Sequence, residues 1–134
     1  MLMLPLAAAC SAGRDPYGRT VTEGQLIGHW KGDCGATIDM AGDGTARFDK
    51  FAYEFVDRGR DFRRFSGDGE WFLEEGVGED DPQYLSIRHK RALRELEFIR
   101  DGDGDGLGLR YLINVDHERD CLFSKKPAAS KSTR

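Results

Sequence analysis

The sequence predicts an all-β domain, an eight-stranded antiparallel up-and-down barrel or a closely related sandwich, and three observations carry that expectation. Apolar and polar residues alternate with period two along most of the chain, as in strands with one buried face. The alternating runs recur about every ten residues with Gly- and Asp-rich turns between them. No window of helical length shows apolar residues at i, i+3, i+4 and i+7. At 134 residues the chain is enough for one compact domain and too short for two cores.

Strands are expected near 26–32, 35–41, 44–56, 69–74, 83–88, 94–100, 107–113 and 120–125. Thr22 to Leu26 reads as a turn leading into the first. In the second, Ala36, Ile38 and Met40 alternate with Thr37 and Asp39. Ala41-Gly42-Asp43-Gly44 is a tight-turn signal, after which Ala46 and Phe48 resume the alternation. Phe51, Tyr53 and Phe55 stand in the opposite phase, so a bulge or bend is expected near Lys50. The apolar positions then continue as Trp71 and Leu73, Leu85 and Ile87, Leu96 and Phe98, Leu107, Leu109, Tyr111 and Ile113, and Cys121 and Phe123. Most of the 17 glycines fall in the intervening turns.

Composition narrows the function classes. No apolar stretch approaches the roughly 20 residues that a membrane-spanning helix needs. With a net charge of −4 the chain would be repelled by nucleic-acid phosphates, so no nucleic-acid partner is expected.

The chain opens Met1-Leu2-Met3-Leu4-Pro5-Leu6-Ala7-Ala8-Ala9-Cys10, an apolar run ending in small residues before a cysteine. This resembles the end of a bacterial lipoprotein signal, and Cys10 matches the lipidated position. Ala7 stands where Leu is usual and no Lys or Arg precedes the run, which a start codon upstream of Met1 would explain. The resemblance implies a signal remnant at 1–9, a lipidated Cys10 and a flexible tether through residue 22, a barrel domain at 23–126, and an extracytoplasmic address on the cell membrane. Residues 127–134 read as a disordered basic tail. If Cys10 carries lipid, Cys34 and Cys121 are left as a disulfide pair, closing a loop of about 90 residues worth near 4 kcal/mol. Two buried free thiols are the alternative.

Gly28-His29-Trp30, at the start of the first expected strand, looks like the Gly-x-Trp signature of lipocalin-like barrels, in which the Trp plugs one end. Gly69-Glu70-Trp71 repeats it. With Gly32-Asp33-Cys34-Gly35-Ala36-Thr37 and Asp43-Gly44-Thr45, the chain is similar over residues 25–125 to uncharacterised small secreted lipoproteins of actinobacteria. That resemblance implies fold and address and carries no activity over. Lipocalin chains are longer and build a ligand cup. Here Phe48, Trp71, Phe98, Tyr111 and Phe123 point inward, so a filled core is expected ahead of a cup.

In a closed meander of eight strands, Cys34 and Cys121 fall at the same barrel end, within bridging distance. The same alternation sorts the loops. Segments 41–44, 74–82 and 101–106, with acids and no bases, share one end; 57–68 and 88–94, both basic, share the other with 114–119.

Asp101, Asp103 and Asp105 match the opening of a calcium loop, but Leu112 stands where an EF-hand has its bidentate Glu. A Gly- and Asp-rich hairpin turn is the simpler reading, with weak calcium binding as the alternative. Arg58, Arg60, Arg63, Arg64, Arg88, Lys90, Arg91 and Arg94 could grip an anion or serve as a solvated surface. Lys125, Lys126, Lys131 and Arg134 could rest on anionic lipid. His29, His89 and His117 lie in separate segments without a partner motif, and His29 is expected to face outward. No cofactor is expected. The reading is a membrane-tethered, non-catalytic barrel that binds a small apolar ligand or an envelope protein. A loop-based inhibitor of a wall hydrolase, a small enzyme or a calcium-binding structural module are its alternatives.

Overall fold

The computed structural model describes residues 17–56, 61–78, 80–101, 106–114 and 119–125. After a single helical turn, α1 (Glu23–Leu26), come eight strands: β1 (Gly28–Gly32), β2 (Thr37–Met40), β3 (Thr45–Val56), β4 (Asp61–Glu74), β5 (Tyr84–His89), β6 (Ala92–Arg100), β7 (Leu107–Asn114) and β8 (Arg119–Lys125). Each pairs with the next, and β8 returns to β1, closing the barrel. All pairings are antiparallel. The expected count, order and closure are those observed.

The inward phase of every strand supplies the core. Trp30, Ile38, Phe48, Phe51, Leu85, Ile87, Leu96, Leu109, Cys121 and Phe123 are almost wholly shielded from water, and Trp71, Phe98 and Tyr111 nearly so. Phe51 sits among rings from three other strands, 5.1 Å from Phe65, 5.0 Å from Tyr111 and 6.0 Å from Phe123 between centroids. Such pairs add about 0.5–1.5 kcal/mol each beyond the area they bury. Large inward rings take up the narrow interior that an eight-stranded barrel encloses.

Two glycines permit this packing. A Cβ on Gly69 would stand 2.0 Å from the Arg88 carbonyl oxygen and 2.7 Å from the Phe48 ring. One on Gly32 would meet the Cys121 sulfur at 2.7 Å and the Phe123 ring at 2.8 Å.

One end of the barrel is plugged as the Gly-x-Trp resemblance implied. Trp30 is buried, and its indole N–H donates to the Leu26 carbonyl at 2.9 Å, tying α1 across the end. Lys125 lies over the Trp30 ring, its ammonium donating to the carbonyls of Gln25 and Ile27, each at 2.8 Å. These bonds stabilise carbonyls that a one-turn helix leaves unpaired. They also withdraw Lys125 from the lipid-facing role expected for it. The rest of that basic tail lies outside the described residues.

A second correction concerns the tether, whose expected extent reached residue 22. Tyr17 and Val21 are buried in the core. Gln83 pairs with both main-chain groups of Val21, its amide oxygen accepting from the N–H at 2.8 Å and its NH2 donating to the carbonyl at 3.0 Å. The packed domain therefore begins by Tyr17.

Candidate functional site: an arm across the barrel mouth

The opposite end, the mouth, is covered by a feature the sequence reading missed. Residues 57–68 were expected as a loop, yet β4 begins at Asp61. β2 accompanies β3 only from Ala46 to Asp49, and β5 accompanies β4 only from Glu70 onward. Between them, β3 from Phe51 and β4 up to Phe65 pair with each other as a two-stranded arm. The arm leaves the barrel wall at the bend expected near Lys50. The register shifts between Phe48 and Phe51, and Lys50 has φ +57° and donates its N–H to the Ser66 hydroxyl at 2.9 Å. Gly67 on the facing strand has φ +134°, a conformation open to glycine at little cost. A Cβ there would also touch the His89 ring at 3.0 Å.

From this bend the arm leans over the mouth. Phe65 stacks flat on His89 at 4.6 Å, and the His89 ring meets the Asp68 carbonyl through Nδ1 at 3.1 Å. The Tyr111 hydroxyl of β7 donates to the Tyr53 carbonyl at 3.1 Å. Arg94 of β6 lies 5.4 Å over the Tyr53 ring. Arg119 of β8 and Arg64 lie 5.7 and 5.4 Å from the Phe62 ring. Arg64 also donates to the carbonyls of Lys50, at 2.8 Å, and Cys34, at 3.1 Å. Burial raises the Tyr111 hydroxyl above its ordinary pKa, and the neighbouring Arg94 opposes that rise.

The disulfide lies on the same rim. Cys34, in the β1–β2 turn, and Cys121, in β8, are bridged with 5.3 Å between Cα atoms, as the closed-meander argument required. Asp33 continues the β1–β8 seam, its N–H donating to the Leu122 carbonyl at 2.9 Å and its carboxylate accepting from the Leu122 N–H at 3.0 Å. Asp33, Cys34 and Cys121 are grouped closely enough to suggest a metal site, but bridged sulfurs offer no thiolate.

The expected anion-binding residues come to this end but are largely engaged. Arg63 faces Glu54 at 3.5 Å, Arg64 holds backbone carbonyls, and Arg94 donates to the Leu93 carbonyl at 3.0 Å. Arg88 is held by Glu70 and lies over the Phe72 ring, away from the mouth. Lys90 and Arg91 form the exposed β5–β6 turn, without a hydrogen bond or ion pair among the described residues. Arg58 and Arg60 lie outside those residues, as do Cys10, Asp103, Asp105 and His117. Asp101 accepts from the Ser124 hydroxyl at 2.9 Å, and its N–H donates to the Gly106 carbonyl at 2.9 Å, a hairpin closure.

The outer wall carries a cross-strand row, His29, Asp39, Arg47 and Asp68, in which neighbours pair in register. His29 faces outward, as expected, and contacts Asp39. The row lines an open concavity of about 670 Å³ on the outside of the sheet. Compared with models of known protein families, with curated proteins and with solved structures, the chain matches none of them.

Proposed function

We propose that this chain is a non-catalytic, lipid-anchored barrel of the extracytoplasmic face of the cell membrane, similar to small actinobacterial lipoproteins, and that it binds a protein partner on its outer surface. The observation that carries the choice of an outer surface is the aromatic interior, plugged by Trp30 at one end and covered by the arm at the other. A small apolar ligand would need space that Phe48, Phe51, Tyr111 and Phe123 occupy.

The placement of the N-terminal segment supports the address. Val21 joins the barrel beside Gln83, at the end that carries Glu75, Asp80, Asp81 and Asp101. The mouth then faces away from the bilayer. A wall hydrolase held inhibited is the narrower form of the same reading, favoured by the arm as an aromatic-bearing pair of strands at the mouth.

Mass spectrometry of the protein from membranes of the producing organism tests the address. Cleavage before Cys10 with diacylglyceryl and acyl mass on its N-terminal fragment is expected. An intact Met1 and an unmodified Cys10 would overturn it.

A further inference from the structure

We infer that the barrel mouth, where the arm meets the rim arginines beside the 90–91 turn, is a docking surface for an acidic segment of a protein partner. The inference rests on the outer-surface reading above and adds the partner's chemistry. Phe62 lies beside two guanidinium groups, those of Arg64 and Arg119, and Tyr53 beneath a third, that of Arg94. Aromatic and arginine side chains dominate the energetics of protein interfaces. Here Arg64 is held by the Lys50 and Cys34 carbonyls and Arg94 by the Leu93 carbonyl, so less of their side-chain freedom remains to be lost on association. The exposed Lys90 and Arg91 add positive charge beside them.

Charge distribution selects the partner. Asp43, Glu75, Asp80, Asp81 and Asp101 outnumber Arg100 and Lys125 at the other end, while Lys50, Arg63, Arg64, Lys90, Arg91, Arg94 and Arg119 outnumber Asp33, Asp49, Glu54 and Asp61 at the mouth, so an acidic surface is steered to the mouth. A polyanionic polymer is a poorer fit, because it has no apolar groups to place against the Phe62 and Tyr53 rings, and Arg63 is already paired with Glu54. A lipid surface is a poorer fit because the N-terminal segment joins the opposite end.

The test immobilises the full barrel, presents detergent-solubilised envelope proteins of the producing organism, and compares three variants with the wild type. Lys90→Glu with Arg91→Glu reverses charge at the turn, Phe62→Ser removes the ring between the guanidiniums, and Glu75→Lys alters the other end. Near-UV circular dichroism verifies that each is folded, and Lys90→Ala with Arg91→Ala replaces the reversal if it is not.

The expected result is an acidic protein retained by wild type and by Glu75→Lys, bound at least tenfold more weakly by both mouth variants, with an association rate that falls as salt rises. The inference is overturned if no protein is retained, if the mouth variants retain it equally, or if Glu75→Lys alone releases it. Polyphosphate bound at 150 mM salt (roughly physiological screening), with no protein retained, would overturn it in favour of a polymer. A small apolar ligand released from the barrel on denaturation would instead overturn the outer-surface reading, leaving the mutational map as a separate result.

Discussion

The hydroxyl of Tyr111 donates to the main-chain carbonyl of Tyr53 across the barrel mouth at 3.1 Å. It joins β7 to an arm whose strands, beyond the bend, pair only with each other. A hairpin of two strands is marginal in water by itself, so the arm's order depends on such contacts with the rim. Tyr111→Phe removes the bond and keeps the ring. A loss of about 1 kcal/mol is expected, confined to the arm. Amide hydrogen exchange should show faster exchange in 51–56 and 61–66 with β5 to β8 unchanged.

The same hydroxyl gives the arm a pH limit. Its folded pKa lies above the unfolded value near 10.0 because burial disfavours the phenolate. A group raised in this way contributes fully below the unfolded pKa and loses its contribution as pH rises through the folded value. The arm should therefore stay fastened across neutral pH and loosen only above about pH 10. An ultraviolet phenolate titration of the wild type should show late-ionising phenol at both Tyr111 and Tyr84, and Tyr111→Phe should remove the first while leaving the second.

Cys34→Ser with Cys121→Ser should lower unfolding stability by about 4 kcal/mol through the lost constraint on the unfolded chain. Urea unfolding of the wild type with and without reductant should reproduce that difference. Gly32→Ala should also be costly, since its Cβ would stand 2.7 Å from the Cys121 sulfur.

Gly69→Ala places a methyl group 2.0 Å from the Arg88 carbonyl oxygen, a backbone atom held in the β4–β5 ladder. The strands must separate or the Phe48 ring must shift, and a loss of more than roughly 2 kcal/mol is expected. The urea midpoint of Gly69→Ala should fall well below that of Gly44→Ala, where a Cβ would meet nothing within 4 Å but φ is +91°.

Gln83→Ala leaves both main-chain groups of Val21 without their partner. Limited proteolysis should then cleave between residues 17 and 22, where the wild type resists, while the barrel persists.

Barrel closure and the disulfide were legible because both follow from counting: eight alternating runs put residues 34 and 121 on one rim. The bend at Lys50 was legible as a phase change between Phe48 and Phe51. The second half of the arm was not, because Phe62 and Phe65 are three residues apart and one side of that strand faces the mouth instead of a sheet neighbour. Tyr17 and Val21 are isolated apolar residues in a polar stretch. Val21 is held by Gln83, 62 positions away, and no local pattern announces the burial of either residue. Lys125 looked like the first charge of a basic tail, since nothing nearby in sequence reveals the carbonyls of Gln25 and Ile27. The engagement of Arg63, Arg64 and Arg94 was hidden for the same reason, and it changes the candidate site from a cluster of free cations into an ordered aromatic and arginine surface.

Native mass spectrometry of the barrel purified from producing cells tests the filled interior most directly. The account predicts the mass of the covalently modified polypeptide alone, unchanged apart from charge-state distribution on denaturation. A stoichiometric small apolar molecule held by the native protein and released on denaturation would contradict it.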